Sequence, residues 1–387
     1  MTLLDYLVLE YPYLCLLAAF VMGAIVGSFV NVCAARLPLE KSVLWPGSHC
    51  QSCWQEIRWY DNLPLLSYLR LGGRCRTCGA RFSSRYFWIE FLTAAGFALL
   101  FWAEVLANAR SLIIPPGTMP PGLPTSLVLM WLVHALFFSF LLTATLTDAQ
   151  YREIPLPITV TGTVVGIASG TLMPWPWPTD PLLIERSFPL WNIGQYSNMA
   201  PGSQTAVLLP VGAQPWPLWL PVPDWLAPGT TGMGLATALV GALFGTGLMR
   251  LIRSVFSWAL GKEALGLGDA DLMMMIGAFL GWQAVPFVLI TAVMLGLVYV
   301  LGLIVINPRF LRGERAFAFG PFLAAAGVLT LLFFWQMVGL CWYLLEIPVQ
   351  VYLFDATVLV QFVVLLAVVG LVVTLSIRML RLVAAAW

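Results

Sequence analysis

Apolar residues in this chain come in long blocks separated by short polar segments. Blocks long enough to cross a hydrocarbon core of roughly 30 Å as helices fall near 12–34, 87–107, 128–147, 157–173, 231–253, 284–306, 318–342 and 357–377. A shorter apolar run at 270–282 is a ninth candidate. The run 12–34 has no basic segment before it and no small-residue cleavage pattern behind it, so it reads as a retained span and not as a removable signal.

The polar segments set the orientation. If 35–86 is cytoplasmic and successive spans alternate, 17 of the 19 Lys and Arg lie in or beside cytoplasmic segments, leaving only Arg110 and Arg186 outside. That bias follows the positive-inside rule. It places the N-terminus outside, and it places 35–86, Asp148, Asp269, the basic loop 307–317 and the RMLRL tail inside. Composition agrees: 60% of residues are hydrophobic, 10% are charged and the mean hydropathy is +0.89, whereas a soluble domain carries about 25% charged residues. A soluble fold is excluded, and a net charge of +1 gives no reason to expect a nucleic-acid partner.

Three segments are more than connectors. Residues 35–86 are polar, basic and cysteine-bearing, as in a small folded module. Residues 173–230 hold twelve of the 27 prolines and six of the 17 tryptophans with almost no charge, which suits an extracytoplasmic segment at headgroup level. The 108–127 loop, with IIPPGTMPPGLP, is a similar break on the same side, and no internal repeat is found. The expected fold class is an all-α polytopic membrane protein of about 8–9 transmembrane helices, with a small cytoplasmic zinc-binding module and a Pro/Trp-rich extracytoplasmic insert. Its divisions are a first span in 1–34, the four-cysteine zinc module in 35–86, spans in 87–172, the insert in 173–230, a second transmembrane core in 231–340, and a connector with one further span in 341–387.

Cys50-x2-Cys53 and Cys75-x2-Cys78 stand 21 residues apart. Two such knuckles supply the four thiolates of a tetrahedral zinc site. Paired disulfides are the competing reading and need an oxidising compartment; the orientation places the module in the reducing cytoplasm, so structural zinc is expected. Cys15, Cys33 and Cys341 lie in apolar runs and read as small buried hydrophobes.

Residues 266–282 read GLGDADLMMMIGAFLGW, an apolar run that opens on two acids, Asp269 and Asp271. The third span ends LLTATLTDAQYREIP, leaving Asp148 at the same membrane edge. Two carboxylates sharing a site cannot both ionise easily and hold one proton between them. In that state one takes a proton from water while the other donates to a scissile carbonyl. Gly266 and Gly268 let the backbone bend and come close to a substrate strand. Capping is the bland alternative, and the helix dipole favours Asp269 there; Asp148, at a helix C-terminal end, does not fit it. Asp269 and Asp271 are two steps apart, about 200° around a helix, and cannot share a face. Glu90 is an intramembrane carboxylate and hence a functional candidate. His134 lies fourteen residues before Asp148, about 21 Å along a helix, too far to assist it. Met273–Met275 read as packing, and Arg312 and Arg315 as topology determinants and anionic-lipid contacts.

Taken together, these motifs resemble the type IV prepilin peptidases. GSFVNVCAARLP at 27–38, the CxxC pairs flanking WYDNLPLLSYL, SRYFWIEFLT at 84–93, the TD of Asp148, the GxGD of Asp269 and FGPFLAAAG at 319–327 follow in the family's order. The resemblance covers roughly 23–107, 128–168 and 232–336, and omits the insert and the last span. It implies that Asp148 and Asp269 are the catalytic aspartates and that Cys50, Cys53, Cys75 and Cys78 hold the zinc. It implies leader-peptide cleavage from prepilins and pilin-like secretion subunits at the cytoplasmic face of a bacterial inner membrane, in contact with lipid. It also implies methylation of the new N-terminus with S-adenosylmethionine, with Glu90 as the associated residue. Glu56, Asp61, Glu263, Asp271 and Glu314 are candidates to attract the basic leader. The chain departs from the family pattern at Asp271, where Lys is usual, at Leu156, where an acid is usual, and at Ala94, where Gly is usual. A narrower enzymatic reading is a pseudopilin peptidase without methylation. Outside enzymes, a proton- or cation-coupled transporter with the cysteine loop as a docking module, or a non-catalytic scaffold, are the alternatives. A transport path would call for ionisable groups near mid-membrane.

Overall fold

In a computed structural model, which describes residues 2–107, 123–172, 231–261, 265–306 and 318–345, the apolar blocks become helices, and all regular structure among the described residues is helical. The chain divides into two compact units, Met1–Arg110 with Pro115–Ile158, and Thr159–Trp387 with Ser111–Ile114.

In the first unit, α1 (Leu3–Glu10) opens on a capping box, in which the Thr2 hydroxyl accepts from the Asp5 N–H and the Asp5 carboxylate accepts from the Thr2 N–H. Asp5 also accepts from the Thr125 N–H at 3.0 Å and from its hydroxyl at 2.7 Å. These donors, the Thr2 N–H first, hold its carboxyl well below the usual range, and they join α1 to the first turn of α5 (Leu123–Tyr151). Helix α2 (Pro12–Arg36) starts with Pro12 in its first turn, where a missing N–H costs nothing, and gives way to a short 3₁₀ turn containing Pro38. The six-residue α3 (Leu66–Leu71) lies inside the cysteine module and ends on Gly72 at φ 60°. Helix α4 (Arg85–Phe101) continues into a π-helical turn, Trp102–Leu106.

Helices α2 and α4 pack at backbone distance. A Cβ on Gly23 would come within 2.7 Å of the Ala94 Cα, and one on Gly27 within 2.8 Å of the Glu90 Cα. Val30, Ile89 and Leu142 bring α2, α4 and α5 together in one buried cluster. Small residues at such contacts are how helices associate in lipid, where no hydrophobic force drives them together.

The second unit contains most of α6 (Leu156–Leu172) together with α7 (Thr231–Leu260), α8 (Leu267–Leu280), α9 (Ala284–Ile306) and α10 (Gly320–Leu345). Helix α8 has only 14 residues, about 21 Å, too short to cross a hydrocarbon core. Its side chains are buried almost all round, including Leu272, Met273, Met275, Ile276 and Phe279, the pattern of a helix enclosed by protein. Glycines make this possible: a Cβ on Gly241 would overlap the Gly277 carbonyl, one on Gly277 the Gly241 carbonyl, and one on Gly245 the Met273 carbonyl.

Eight of the nine expected spans fall on described helices; the ninth, 357–377, the insert 173–230 and the loop 307–317 lie outside the described residues, as does most of 108–127. Among the described residues, five helical stretches are long and apolar enough to cross a membrane: Pro12–Leu39, Arg85–Leu106, Leu127–Tyr151, Thr231–Trp258 and Ala284–Leu303. Leu156–Leu172 and Gly320–Phe334 are shorter, and α10 leaves helical geometry at Phe333. Cys15 and Cys33 are half-buried, not buried as expected, because α2 keeps much of its surface outside the packed unit. The Cys341 side chain is outside the described ones.

The glycine contacts predict a contrast. Gly241→Val should destabilise the protein by about 2 kcal/mol or more through backbone overlap with α8. Gly247, with nothing within 4 Å of an added Cβ, should tolerate Ala neutrally or gain a little from helix propensity. Thermal unfolding of the two variants in lipid nanodiscs checks this.

Candidate active site and metal centre

Each cysteine pair sits in a tight turn of the same form. Cys50 N–H donates to the Gln55 carbonyl at 2.9 Å and Trp54 N–H to the Cys50 carbonyl at 2.8 Å; Cys75 donates to Ala80 at 2.8 Å and Gly79 to Cys75 at 2.9 Å. The corresponding positions Trp54 and Gly79 are both left-handed, at φ 58° and 71°. The turns meet with Cys50 Sγ 3.8 Å from Cys78 Sγ and Cys53 Sγ 4.0 Å from Cys75 Sγ, and all four sulfurs lie within 4.8 Å of one another. Zn–S bonds of about 2.3 Å in a tetrahedron require S···S edges of about 3.8 Å, so the donor set fits zinc. The Cys53 and Ser52 N–H groups hold the Cys50 thiol down to about 6, and those of Cys78 and Thr77 lower Cys75. Cys78, against the lowering pull of the Ala80 N–H, is pushed up to about 11 by Cys53, by burial and by the other two sulfurs. Four sulfurs this close cannot all carry charge without a cation among them.

The module is tied to the spans at several points. Asn31 Nδ2 donates to the Tyr86 carbonyl at 3.1 Å, Tyr68 packs against Phe87, and Arg85 bonds to Gln150. Glu90, half-buried in α4, accepts the Leu65 N–H at 2.8 Å. Leu65 has φ 62° and ψ −52°, and the Leu66 N–H reaches back to the Pro64 carbonyl at 2.7 Å. This is a γ-turn of the rare, strained hand, held in place by a carboxylate.

Asp269 occupies the first turn of α8, three residues after the N-cap Gly266, and is buried. The helix dipole favours its charge there. Gly268 lies between them in the same turn. Asp271 points elsewhere and pairs with Arg250 of α7 at 3.5 Å, partly open to solvent; this partner for the departing residue was not anticipated. Asp148 is buried in the last turn of α5, where Arg152 N–H closes on its carbonyl at 2.8 Å with Arg152 left-handed at φ 56°. Asp148 belongs to the first unit and Asp269 to the second.

Among the expected leader-binding acids, Asp61 is already bound. Arg76 grips it through two bonds of 2.7 and 2.6 Å and Arg70 approaches at 3.3 Å; the Arg76 bond chiefly lowers its carboxyl below the ordinary value. Glu263, Glu314, Arg312 and Arg315 lie outside the described residues. Sequence reasoning missed Glu104, which is buried in the π turn with Oε1 2.6 Å from Nδ1 of buried His134. The sequence signal was present, since a carboxylate in an apolar run warrants a partner; the π turn, a feature frequent at functional sites, is seen only in the fold.

These features define a multi-pass membrane protein with a four-cysteine metal module between its first two spans. The chain belongs to the type IV leader peptidase family. The profile of the bacterial peptidase A24 N-terminal domain matches residues 21–104, and that of the type IV leader peptidase family matches 216–301. A prepilin leader peptidase/N-methyltransferase of Pectobacterium carotovorum subsp. carotovorum is 30% identical over 334 residues, covering 80% of this chain and 89% of that one. The like-named protein of Myxococcus xanthus is 32% identical over 280 residues, 72% of this chain but 60% of that one. That of Pseudomonas aeruginosa is 28% identical over 355 residues, 86% and 94% of the two chains. No solved structure matches.

The purified protein should contain one zinc per chain by elemental analysis. Cys75→Ser should lose it, and the variant's residues 48–82 should become rapidly cleaved in limited proteolysis, as should the parent's after chelation.

Proposed function

We propose that this protein is an intramembrane aspartic endopeptidase that removes the basic leader from prepilins and pilin-like secretion subunits at the cytoplasmic face, and methylates the N-terminus it exposes. The observation that carries this reading is the burial of two carboxylates, Asp148 and Asp269, each at the end of an apolar helix. Water hydrolyses the scissile amide when one of the pair, ionised, takes its proton and the other, protonated, donates to the carbonyl oxygen. The nitrogen of the departing chain then takes up a proton. Gly266 and Gly268 leave room for the substrate backbone in front of Asp269. A prepilin, with a basic leader ahead of a long apolar helix, can lie in the bilayer with its scissile bond at the depth of the dyad.

In this proposal the parts of the chain keep the expected divisions: a first span in 1–34, the zinc module in 35–86, spans in 87–172, the insert outside in 173–230, the GxGD core in 231–340 and a further span in 341–387. Cys50, Cys53, Cys75 and Cys78 hold zinc as a structural ion that fixes the module. S-adenosylmethionine, when bound, supplies an electrophilic methyl group. Glu90 suits its cationic sulfonium by charge, and its bond to Leu65 sets the position of the loop above. Family membership removes the support for a transporter.

Incubating purified protein with a prepilin and S-adenosylmethionine, then weighing the product N-terminus by mass spectrometry, tests both activities. Asp148→Asn and Asp269→Asn should each lower cleavage by about 10³-fold or more, while Asp271→Asn, which breaks only a solvent-open pair, should keep most of it. A fully active Asp269→Asn enzyme would refute the assignment. Glu90→Ala should lose methylation by roughly tenfold more than it loses cleavage; equal losses would make Glu90 a purely structural anchor.

A further inference from the structure

The arginines of the cysteine module carry the wrong charge to attract a basic leader. Their setting gives them another use. The Leu65 N–H is bound by Glu90 at 2.8 Å, and Glu90 lies five residues, about 7.5 Å, past the first residue of α4, in its second turn. The loop around Leu65 therefore sits level with the second turn of α4, near the start of the apolar stretch Arg85–Leu106. On both sides of that anchor apolar side chains face outward: Trp59 is 77% exposed, Leu63 40%, Leu66 64% and Leu69 66%. Leu66 and Leu69 are three apart on α3 and share a face.

Beside them, the guanidiniums of Arg58, Arg70 and Arg76 gather 5.9, 5.8 and 5.8 Å from the centre of the Tyr60 ring, and Trp59 lies edge-on to that ring at 5.6 Å. Among the described residues, Asp61 is the one carboxylate bonded within the group. Three cations against one anion leave an excess positive charge in a patch where Arg70 and Arg76 remain about half exposed. Indole rings and leucines at the boundary of lipid and water, flanked by arginines, match what an amphipathic interfacial segment presents to a membrane. Guanidinium is also the side chain best shaped to grip a phosphate.

We propose that residues 58–71, with the neighbouring Arg76, are an interfacial anchor, with Trp59, Leu63, Leu66 and Leu69 seated at the acyl boundary and Arg58, Arg70 and Arg76 holding the phosphates of anionic phospholipid. The proposal rests on the multi-pass reading for the level of the bilayer, and on neither catalytic aspartate. The substrate's apolar helix could cover the leucines, but its leader would meet three like charges. Anionic lipid meets complementary ones. The anchor holds the zinc module down beside the ends of α2 and α4.

The test uses the full-length, zinc-loaded protein in nanodiscs of phosphatidylcholine alone or with phosphatidylglycerol. Hydrogen exchange of 58–71 is followed by mass spectrometry, and Leu66→p-benzoylphenylalanine reports its neighbours by photocrosslinking. Phosphatidylglycerol should slow exchange by about tenfold or more, with crosslinks to lipid. Arg70→Gln should forfeit about fivefold of that effect, and the pair Leu66→Ser with Leu69→Ser should weaken protection in both lipids. Asp269→Asn should match the parent, so a failure of the protease reading shows separately, in the cleavage assay. Equal exchange in the two lipids overturns the proposal. So does protection and crosslinking at position 66 that appear only when prepilin is added, which would assign the surface to substrate. Should Arg70→Gln lose its zinc, the leucine pair decides, and unchanged protection there overturns the proposal.

Discussion

An acid at the head of a helix too short for the membrane can be kept only where protein encloses it, and in the second unit that enclosure depends on glycine. Where α7 and α8 cross, Gly241, Gly245 and Gly277 present backbone to backbone. Dispersion between closely packed main chains replaces the hydrophobic force that lipid cannot supply. With α7 this near, α8 is buried nearly all round, and Asp269 is buried with it. Gly23 and Gly27 serve the first unit similarly, bringing α2 against α4 at Ala94 and Glu90. The chemistry of both units is thus placed by residues that have no side chain.

Hydropathy located the helices well because a bilayer leaves the backbone few choices. A long apolar run must satisfy its own N–H and C=O groups, and the α-helix does so within the segment. The cysteine cluster was equally legible, since CxxC spacing encodes the local turn and four thiolates converge on few chemistries. Asp269 stood out through its GxGD setting. What the sequence did not disclose depends on partners distant along the chain. Asp5 and Thr125 are 120 residues apart and Glu104 and His134 are 30 apart, so the local sequence, even where it marks the acid, does not name its partner. The γ-turn at Leu65 was hidden for another reason: leucine has no intrinsic preference for that backbone, so only the Glu90 acceptor explains it. Burial also misled for Cys15 and Cys33, because in a membrane protein an apolar position can face lipid as readily as core.

The module and the spans form one connected piece of chemistry. Zinc would fix two turns relative to each other; the segment between them carries Tyr60, Asp61 and the strained turn, and that turn ends on a carboxylate of α4. A disturbance at the metal would thus be felt at Glu90 through Leu65, which lies between the two cysteine turns. The arginine grip on Asp61 has a defined pH range. Its depressed carboxyl contributes stability that is fully present above the ordinary value of 3.8 and is lost as pH falls through the lower folded value. At neutral pH the segment is therefore held at both ends.

The buried pair between the π turn that follows α4 and the middle of α5 constrains how these helices can move. Glu104 and His134 meet at 2.6 Å, and Trp131 donates to the Phe97 carbonyl at 3.0 Å a turn away. Separating such groups in a dry interior costs about 3–5 kcal/mol, so sliding of one helix along the other is disfavoured. Asp148 lies fourteen residues on from His134, about 21 Å along the same rod. A small rotation about that clamp is therefore magnified at the other end of the rod: a tilt of about 5° there would swing Asp148 by about 2 Å.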